Sequence, residues 1–570
     1  MGKPTPPDVF AAAFPVLSEG QIKVLQTYGS EREVQVGEDL FHQGDRSRVF
    51  FGLLEGEVEL LEHLADEDRS ISSRGPGHFF GELNMLTGQA VILTARVRQA
   101  GRVLQLTVPA IKEVIQQEPR LSDLILQAFM LRRAILSELG TGGRIVGSLH
   151  SADTTRLLTF MARNRLPHAF LDLDTDPEAE VFLRRAGGEP GPDPYLVWQG
   201  RHANLNPSNS QLAQWIGLDR KADLEERYDV VVIGAGPAGL GSAVNAASEG
   251  LCVLVVDKYA IGGQAGTSSR IENYLGFPAG LSGADLTTRA HIQAEKFGTR
   301  ISVPHEAVSL RQDGDDIVVG LDDACAVRAR SVIVATGVRY RRPPVARLAE
   351  FDGIDVFYAA TDMEARRCFG RAVAVIGGGN SAGQPALFLA RTGLDVTILV
   401  RREGLSDTMS QYLIDQIEAL PTIEVRPFTE SKALIGTDRL EGVEVEDSRS
   451  GERDVLHVGA IFMMIGADPN TDWLADTLAI DEKGFILTGG DLGDGRDERW
   501  SDLGRGPMPM ETSMPGVFAV GDVRSGSVKR VASSVGEGSM AVQYPHRYLA
   551  DQYAGRTTPA RAGSGGCGAR

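Results

Sequence analysis

A strand of four consecutive β-branched residues that runs straight into Gly-x-Gly-x-x-Gly, and from there into a helix, constrains this chain more than any other feature. Val230-Val231-Val232-Ile233 leads into Gly234-Ala235-Gly236-Pro237-Ala238-Gly239, and Leu240, Ala243 and Ala246 continue at helical spacing. Gly234 permits the tight turn, Gly236 lets the main chain approach a pyrophosphate, and Gly239 lets helix and strand pack closely. Pro237 and Ala238 open the helix whose N-terminus would face that anion. After the next strand, Val253 to Val256, comes Asp257, placed to accept from an adenosine ribose hydroxyl. A second fingerprint, of the form GxGxxA, reads Gly377-Gly378-Gly379-Asn380-Ser381-Ala382 behind Ala374-Val375-Ile376. Its second strand, Asp395 to Val400, ends in Arg401-Arg402 instead of an acid. Arginine there suits a 2′-phosphate, so this site is expected to prefer NADPH over NADH. Two such sites with different ribose ends imply a flavin and a nicotinamide cofactor.

The rest of the chain is read around that pair. At 570 residues it is long enough for several domains, and its 42% hydrophobic and 24% charged residues are ordinary for a soluble globular protein. A net charge of −18 argues against tracking a phosphate backbone, so no nucleic-acid partner is expected. The four cysteines contain no CxxC, and histidines and cysteines show no metal-ligand spacing, so no metal site is expected. No 18-residue apolar run occurs and residues 1–7 carry no apolar targeting stretch, from which a cytoplasmic protein without membrane contact is expected.

Composition shifts divide the chain. Residues 1–140 carry short alternating runs punctuated by glycine, the pattern of a β-barrel or jelly roll, followed by a helical stretch from Ile111 to Leu139. Gly140 to Gly143 reads as a linker, and 144–217 as β-α-β-α-β. Residues 219–227 form a charged linker. From 228 to 555 near-continuous Val/Ile runs suit parallel strands covered on both faces. The tail, 556–570, is Gly/Ala/Arg-rich and expected to be disordered. The fold class is therefore multidomain α/β: an N-terminal jelly roll with helices, a small α/β domain, and two Rossmann-like dinucleotide domains.

The stretch from Tyr228 to about 555 resembles the low-molecular-weight thioredoxin reductases. Besides the fingerprints it carries Gly262-Gly263-Gln264, then Glu272-Asn273-Tyr274-Leu275-Gly276-Phe277-Pro278, and Ala335-Thr336-Gly337. Further on come Gly521-Asp522-Val523 and Lys529-Arg530-Val531-Ala532. The resemblance implies FAD and NADPH as cofactors. It places Gly263, Gln264 and Asn273 around the flavin, and Thr336 and Gly337 at the crossover between domains. Asp522 falls on the ribityl chain, and Arg530, Val531 and Ala532 lie against the isoalloxazine. It also implies an NADPH domain (341–465) inserted into a split FAD domain (228–340 and 466–555), and a homodimer.

One departure from that family bears on function. Where its active CxxC belongs, this chain reads Phe357-Tyr358-Ala359-Ala360-Thr361-Asp362, so Tyr358 and Thr361 take the cysteine positions. Neither a phenol nor an alcohol can attack a disulfide. What remains is hydride transfer from NADPH to FAD and discharge to an acceptor: oxygen, a quinone, an electron-transfer protein or another substrate. Tyr358 is read either as a stacking or gating group or as a filler of the vacated space. Cys368 is read either as a flavin-adjacent thiol or as a small residue at an element's edge. Disulfide reduction through Cys368 or Cys567, a ferredoxin- or flavodoxin-type NADP reductase, and a non-catalytic redox sensor stay open as alternatives.

Residues 15–139 resemble cyclic-nucleotide-binding domains, through Gly37-Glu38-Asp39-Leu40, Gln43-Gly44-Asp45 and Phe80-Gly81-Glu82-Leu83. The resemblance puts Gly81, Glu82 and Leu83 at the opening of the phosphate-binding cassette. The arginine that neutralises the phosphodiester there is replaced by Ala90 or Val91, which argues against tight cyclic-nucleotide binding, so the domain is read either as a cyclic-nucleotide-type regulator of the enzyme or as a structural or degenerate sensor module. Arg96 is the next arginine along the strand. Residues 144–217 resemble a glutaredoxin/thioredoxin fold with Ser151-Ala152-Asp153-Thr154 at its CxxC position, a module suited to docking rather than electron exchange.

Overall fold

The computed structural model describes residues 7–45, 49–64, 68–81, 90–198, 203–216, 218, 226–268, 270–322, 324–437, 439–493, 500 and 503–554. Among the calls above, Glu82, Leu83, Cys567, the tail 556–570 and most of the charged linker lie outside the described residues. Two compact units emerge, Met1–Lys221 with Ser302–Pro304, and Ala222–Ile301 with His305–Arg570.

In the first unit, Val49–His63 and Thr94–Thr107 pair antiparallel along most of their length, from Val49 opposite Thr107 to Leu61 opposite Thr94. Register shifts at Leu53/Glu55 and Glu55/Glu57 bend this pair into a roll. Ser30–Val34, Asp39–Phe41, Asp68–Arg74 and Phe79–Phe80 complete the six-stranded sheet. Phe51 and Phe80 lie in the apolar cluster inside the roll, and on the opposite face Phe50 and Phe79 pack against Phe129, with ring centroids 5.3 to 6.5 Å apart. The single helical stretch read from sequence is two helices, Val108–Gln117 and Pro119–Glu138. The break falls at Pro119, whose missing N–H is harmless only in a first turn.

The segment read as a linker is not one. Thr141 is fully buried, its hydroxyl donates to the Leu136 carbonyl at 2.8 Å, and Gly143 already begins a strand. That strand, Gly143–Gly147, pairs parallel with His168–Asp172 and antiparallel with Tyr195–Trp198, in a four-stranded sheet that Ala203–Leu205 completes. Ser151 caps the helix Ala152–Arg163 by accepting from the Thr154 N–H. The small sheet is locked to the roll by Glu62, which is wholly buried. Its carboxylate accepts from the Gly142 N–H (2.9 Å) and the Arg144 guanidinium (3.1 Å), with Arg69 3.2 Å away. At a second contact the Ala90 N–H donates to the Ile216 carbonyl at 3.1 Å.

The second unit holds two sheets built on parallel strands, one of which adds the antiparallel pair Ala307–Asp313 and Asp316–Leu321 at its edge. In one, Arg227–Ile233 lies between Val253–Val256 and Ala326–Val334, and Val517–Ala519 lies beside the latter. In the other the order is Val356–Phe357, Ala460–Met463, Val373–Ile376, Val396–Leu399, Ile423–Arg426, all parallel. The chain passes between them twice, through Val338–Tyr340 and Ala467–Pro469, which pair antiparallel as a connecting ribbon.

Glu62→Ala leaves Arg144 buried without its counter-charge, a loss of about 3–5 kcal/mol. Urea unfolding followed by tryptophan fluorescence is expected to show the first unit weakened by that amount while flavin absorbance is retained.

Candidate functional site

The first cradle is built where backbones meet without side chains between them. Gly234 has φ 110°, and a Cβ on it would stand 2.3 Å from the Ala335 carbonyl oxygen. A Cβ on Gly239 would stand 1.9 Å from the Gly234 oxygen. The helix Pro237–Ser248 therefore begins tight against the strand. Gly236 is its N-cap, and with no side chain capping it the first N–H groups are left for a phosphate. Asp257 accepts from the N–H groups of Ala235 (2.8 Å), Tyr259 (2.9 Å) and Ala260 (3.1 Å), which fixes its carboxylate beside the turn.

Distant segments close on this turn. Gly521 has φ 71°, and its missing Cβ would come 2.7 Å from that of Ala238; a Cβ on Gly538 would stand 2.0 Å from the Ala238 carbonyl oxygen. The Ser242 hydroxyl donates to the Gly538 carbonyl at 3.0 Å. Asp522 is half-buried; burial pushes its carboxyl up, while Ser534 donates to it at 3.3 Å. Arg530 is the exposed N-cap of Val531–Ala541 with no side-chain cap, so the N–H groups of Val531 and Ala532 open that helix. Gly263 has φ 54°, and a Cβ there would sit 2.9 Å from the Gly236 Cα. Gln264 follows; its amide donates to the Val338 carbonyl at 3.3 Å, and its Oε1 is buried with no partner. Thr336 and Asn470 exchange hydrogen bonds of 3.0 and 2.9 Å beside Gly337, tying the two chain crossings together. Asn273, in contrast, is exposed and bonded to none of these groups.

Sequence reasoning missed Glu537 and Arg524. Glu537, the one charged residue of Val531–Ala541, accepts from the Gly521 N–H at 2.8 Å, from Ser527 at 3.0 Å and from both sides of the Arg524 guanidinium. Burial alone would raise its pKa, but these donors bring it below the ordinary 4.5. The lone acid in a Gly/Ser-rich helix was the available signal.

The second cradle repeats the steric theme. Gly377 has φ 142°, and a Cβ would stand 2.3 Å from the Met464 oxygen; Ala382 is wholly buried where the helix Asn380–Arg391 leaves the turn. Gly379 is its N-cap, again without a side-chain cap. Asn380 and Ser410 exchange bonds of 2.9 and 2.7 Å, and Thr408 donates to the Gly378 carbonyl at 2.8 Å, so the 401–410 loop folds back over the glycines. Ser381 is exposed at the helix start. Arg401 and Arg402 are exposed beyond Val396–Leu399, with Asp407 3.8 Å from Arg402.

In the stretch where the sequence resemblance leads one to expect a dithiol, Thr361 heads the helix Asp362–Arg367: its N–H and hydroxyl both bond the Glu364 carboxylate, a capping arrangement. Tyr358 stacks on Tyr340 of the ribbon (6.2 Å between centroids), with Arg342 5.9 Å over its ring. Arg342 is in turn paired with Asp352 at 2.7 Å. The Tyr358 hydroxyl is buried without a hydrogen-bond partner, and burial pushes its pKa up. Cys368 is wholly buried in an apolar cluster with Ala365, Val373 and Leu394, and burial pushes its thiol up to about 12. A thiol held there presents no thiolate at neutral pH. The three described cysteines are all free.

Two glycine cradles of this kind, one ended by an aspartate and one by arginines, define a flavin- and pyridine nucleotide-dependent oxidoreductase. The unpartnered Gln264 Oε1 and the uncapped helix starts fit an FAD in the first and an NADPH in the second. The model of the pyridine nucleotide-disulphide oxidoreductase family matches residues 228–538, and the chain belongs to that family. The cyclic nucleotide-binding domain model matches residues 31–118, so the N-terminal domain is of that kind. A thioredoxin reductase of Treponema pallidum is 32% identical over 57% of this chain and 98% of its own length. The 34.2 kDa protein in the rubredoxin operon of Clostridium pasteurianum is 28% identical over 57% of this chain and 98% of its own. The crystal structure of Lactococcus lactis thioredoxin reductase superposes with TM-score 0.51 at 28% identity, covering 57% of this chain and 99% of that one. The protein is thus a thioredoxin reductase-like enzyme that uses FAD and NADPH. No helix among the described residues is long and apolar enough to cross a membrane.

Gly239→Val is expected to yield protein without flavin absorbance, whereas Gly377→Val keeps the flavin but loses its bleaching by NADPH. The lowered Glu537 pKa stabilises the folded state above the unfolded carboxylate range, and that stability is lost as pH falls through the folded value. Flavin retention, followed by ultrafiltration, is expected to hold at neutral pH and to weaken as pH falls below the ordinary carboxylate range, with Glu537→Gln removing that part of the acid dependence.

Proposed function

We propose that the enzyme carries hydride from NADPH to FAD and on to an external acceptor, with no internal dithiol between them. FAD, when bound, supplies the two-electron relay. The pyrophosphate groups are met by the helix starts at Gly234, Gly236 and Gly239, and at Gly377 and Gly379. Asp257 takes the flavin's adenosine ribose. Asp522, held by Ser534 and backed by the Gly521–Glu537 clasp, takes the ribityl hydroxyls. Arg401 and Arg402 take the 2′-phosphate of NADPH. What carries this reading is the pairing of two intact cradles with a dithiol position converted to structure: Thr361 as a helix cap, Tyr358 as half of a tyrosine stack. Cys368, beneath them, is sealed in the core. The acceptor is an oxidant of the surroundings, such as oxygen, a quinone or an electron-transfer protein. A cytoplasmic homodimer completes the proposal, the dimer following from the likeness to thioredoxin reductases.

Anaerobic titration tests it directly: full bleaching of the flavin at one NADPH per FAD is expected. Consumption of two would reveal a disulfide and sink the reading. Cys368→Ser is expected to leave NADPH turnover unchanged. Replacing Arg401 and Arg402 together by Ala removes charge-assisted bonds worth about 1.5–3 kcal/mol. Steady-state kinetics should then show the KM for NADPH up by about tenfold or more, with kcat and the KM for NADH little altered.

A further inference from the structure

Three consecutive residues, Thr408, Met409 and Ser410, each close on the second cradle, and the chemistry proposed above uses none of them. The Thr408 hydroxyl donates to the Gly378 carbonyl at 2.8 Å. Met409 is buried against Gly383 of the helix Asn380–Arg391, where a Cβ would stand 2.9 Å from its sulfur. The Ser410 N–H donates to the Asn380 side chain at 2.7 Å, and the Asn380 amide donates back to the Ser410 hydroxyl at 2.9 Å. Ser410 is also the N-cap of the helix Gln411–Glu418, yet its side chain makes no capping bond there. A serine in that place ordinarily accepts from its own helix; here the oxygen is given over to Asn380.

The other end of the same loop is fixed as well. Val400 lies against Gly378, 2.9 Å from where a Cβ would stand, and its carbonyl accepts from the Thr429 N–H at 2.9 Å. The Arg402 carbonyl accepts from the Phe428 N–H at 2.9 Å. Residues 401–407 are thus clipped at both ends, while the side chains of Arg401 and Arg402 stand exposed. In NADPH a single ribose joins the 2′-phosphate to the pyrophosphate, so a site gains from both only if their partners keep a fixed offset. A loop left free would have to be ordered each time the 2′-phosphate bound, at a cost in conformational entropy. NADH, without that phosphate, asks nothing of the loop.

We propose that Thr408 and Ser410, with Asn380, are positioning residues for coenzyme choice. They clip the arginine loop to the pyrophosphate cradle, so that Arg401 and Arg402 receive the 2′-phosphate without first having to be ordered. The proposal rests on the reading that those arginines take that phosphate. Cutting the strap then removes part of the advantage of NADPH and leaves NADH as it was, because the glycines and the helix start that meet the pyrophosphate are untouched.

The test uses the flavin-loaded, full-length protein carrying Thr408→Val and Ser410→Ala together, which deletes both hydroxyls with little change of shape. NADP+ binding is measured by isothermal titration calorimetry, and anaerobic flavin bleaching by NADPH and by NADH is followed at low coenzyme concentration. NADP+ is expected to bind about fivefold more weakly, the equivalent of one neutral hydrogen bond. Bleaching by NADPH should slow by the same factor while bleaching by NADH keeps its rate. Thr408→Ser with Ser410→Thr, which retains both hydroxyls, should restore the native values. A thermal melt checks folding, and Thr408→Val alone, at an exposed position, serves if the pair does not fold. In a background of Arg401→Ala and Arg402→Ala the strap variant should add nothing further. Equal slowing with NADPH and NADH overturns the proposal, as does NADP+ binding that the strap variant leaves untouched while loss of the arginines weakens it. If loss of the arginines itself leaves NADP+ affinity unchanged, the phosphate assignment falls first and the proposal with it.

Discussion

The flavoprotein unit depends on contacts between main chains that tolerate no Cβ. Strand meets helix at Gly234 and Gly239, the second flavin motif meets that helix at Gly521 and Gly538, and the same device recurs at Gly377. Each contact brings a helix start within reach of a phosphate while giving up side-chain packing. The energy lost there is recovered in the strands behind. Val230, Val231, Val232, Val332 and Val375 are wholly buried, as parallel strands covered on both faces require.

Carboxylates then do for these turns what packing cannot. Asp257 gathers three N–H groups at the first turn, and Glu537 takes the Gly521 N–H together with Arg524. In both cases a charge is placed against donors that a tight turn leaves outside any sheet. In the first unit Glu62 plays the corresponding part, joining the roll to the small sheet through Gly142 and Arg144. Three joints are thus held by buried or half-buried acids, and each is sensitive to loss of its partner because an unpaired charge has no route back to water.

Structural contacts occupy the stretch where the likeness to thioredoxin reductases leads one to expect a dithiol. Thr361 stands at a helix start, bonded to Glu364, and Tyr358 lies against Tyr340 of the connecting ribbon. Both were read from sequence as departures from the family pattern, but their new partners were not. Neither Glu364 nor Tyr340 belongs to any motif, and each becomes a neighbour only through the local turn or the crossing of the chain. Asn273, a motif residue, is exposed and out of contact. The helix break at Pro119 was visible in the sequence and was overridden by a 3–4 spacing that continued across it.

The sequence by itself determined the two dinucleotide cradles, the aspartate and arginines that follow their second strands, the order of the modules and the absence of a CxxC. These are local: a glycine at a fixed offset from a strand, or a residue type at one position, carries its physics wherever the chain goes. Only the tertiary structure decided that Cys368 is sealed from solvent, that Glu537 and Arg524 clasp the Gly521 turn, that residues 140–143 are a joint, and that Thr408 and Ser410 close on the second cradle. Burial and partnership arise between segments far apart in the chain, and no periodicity in either segment records the other.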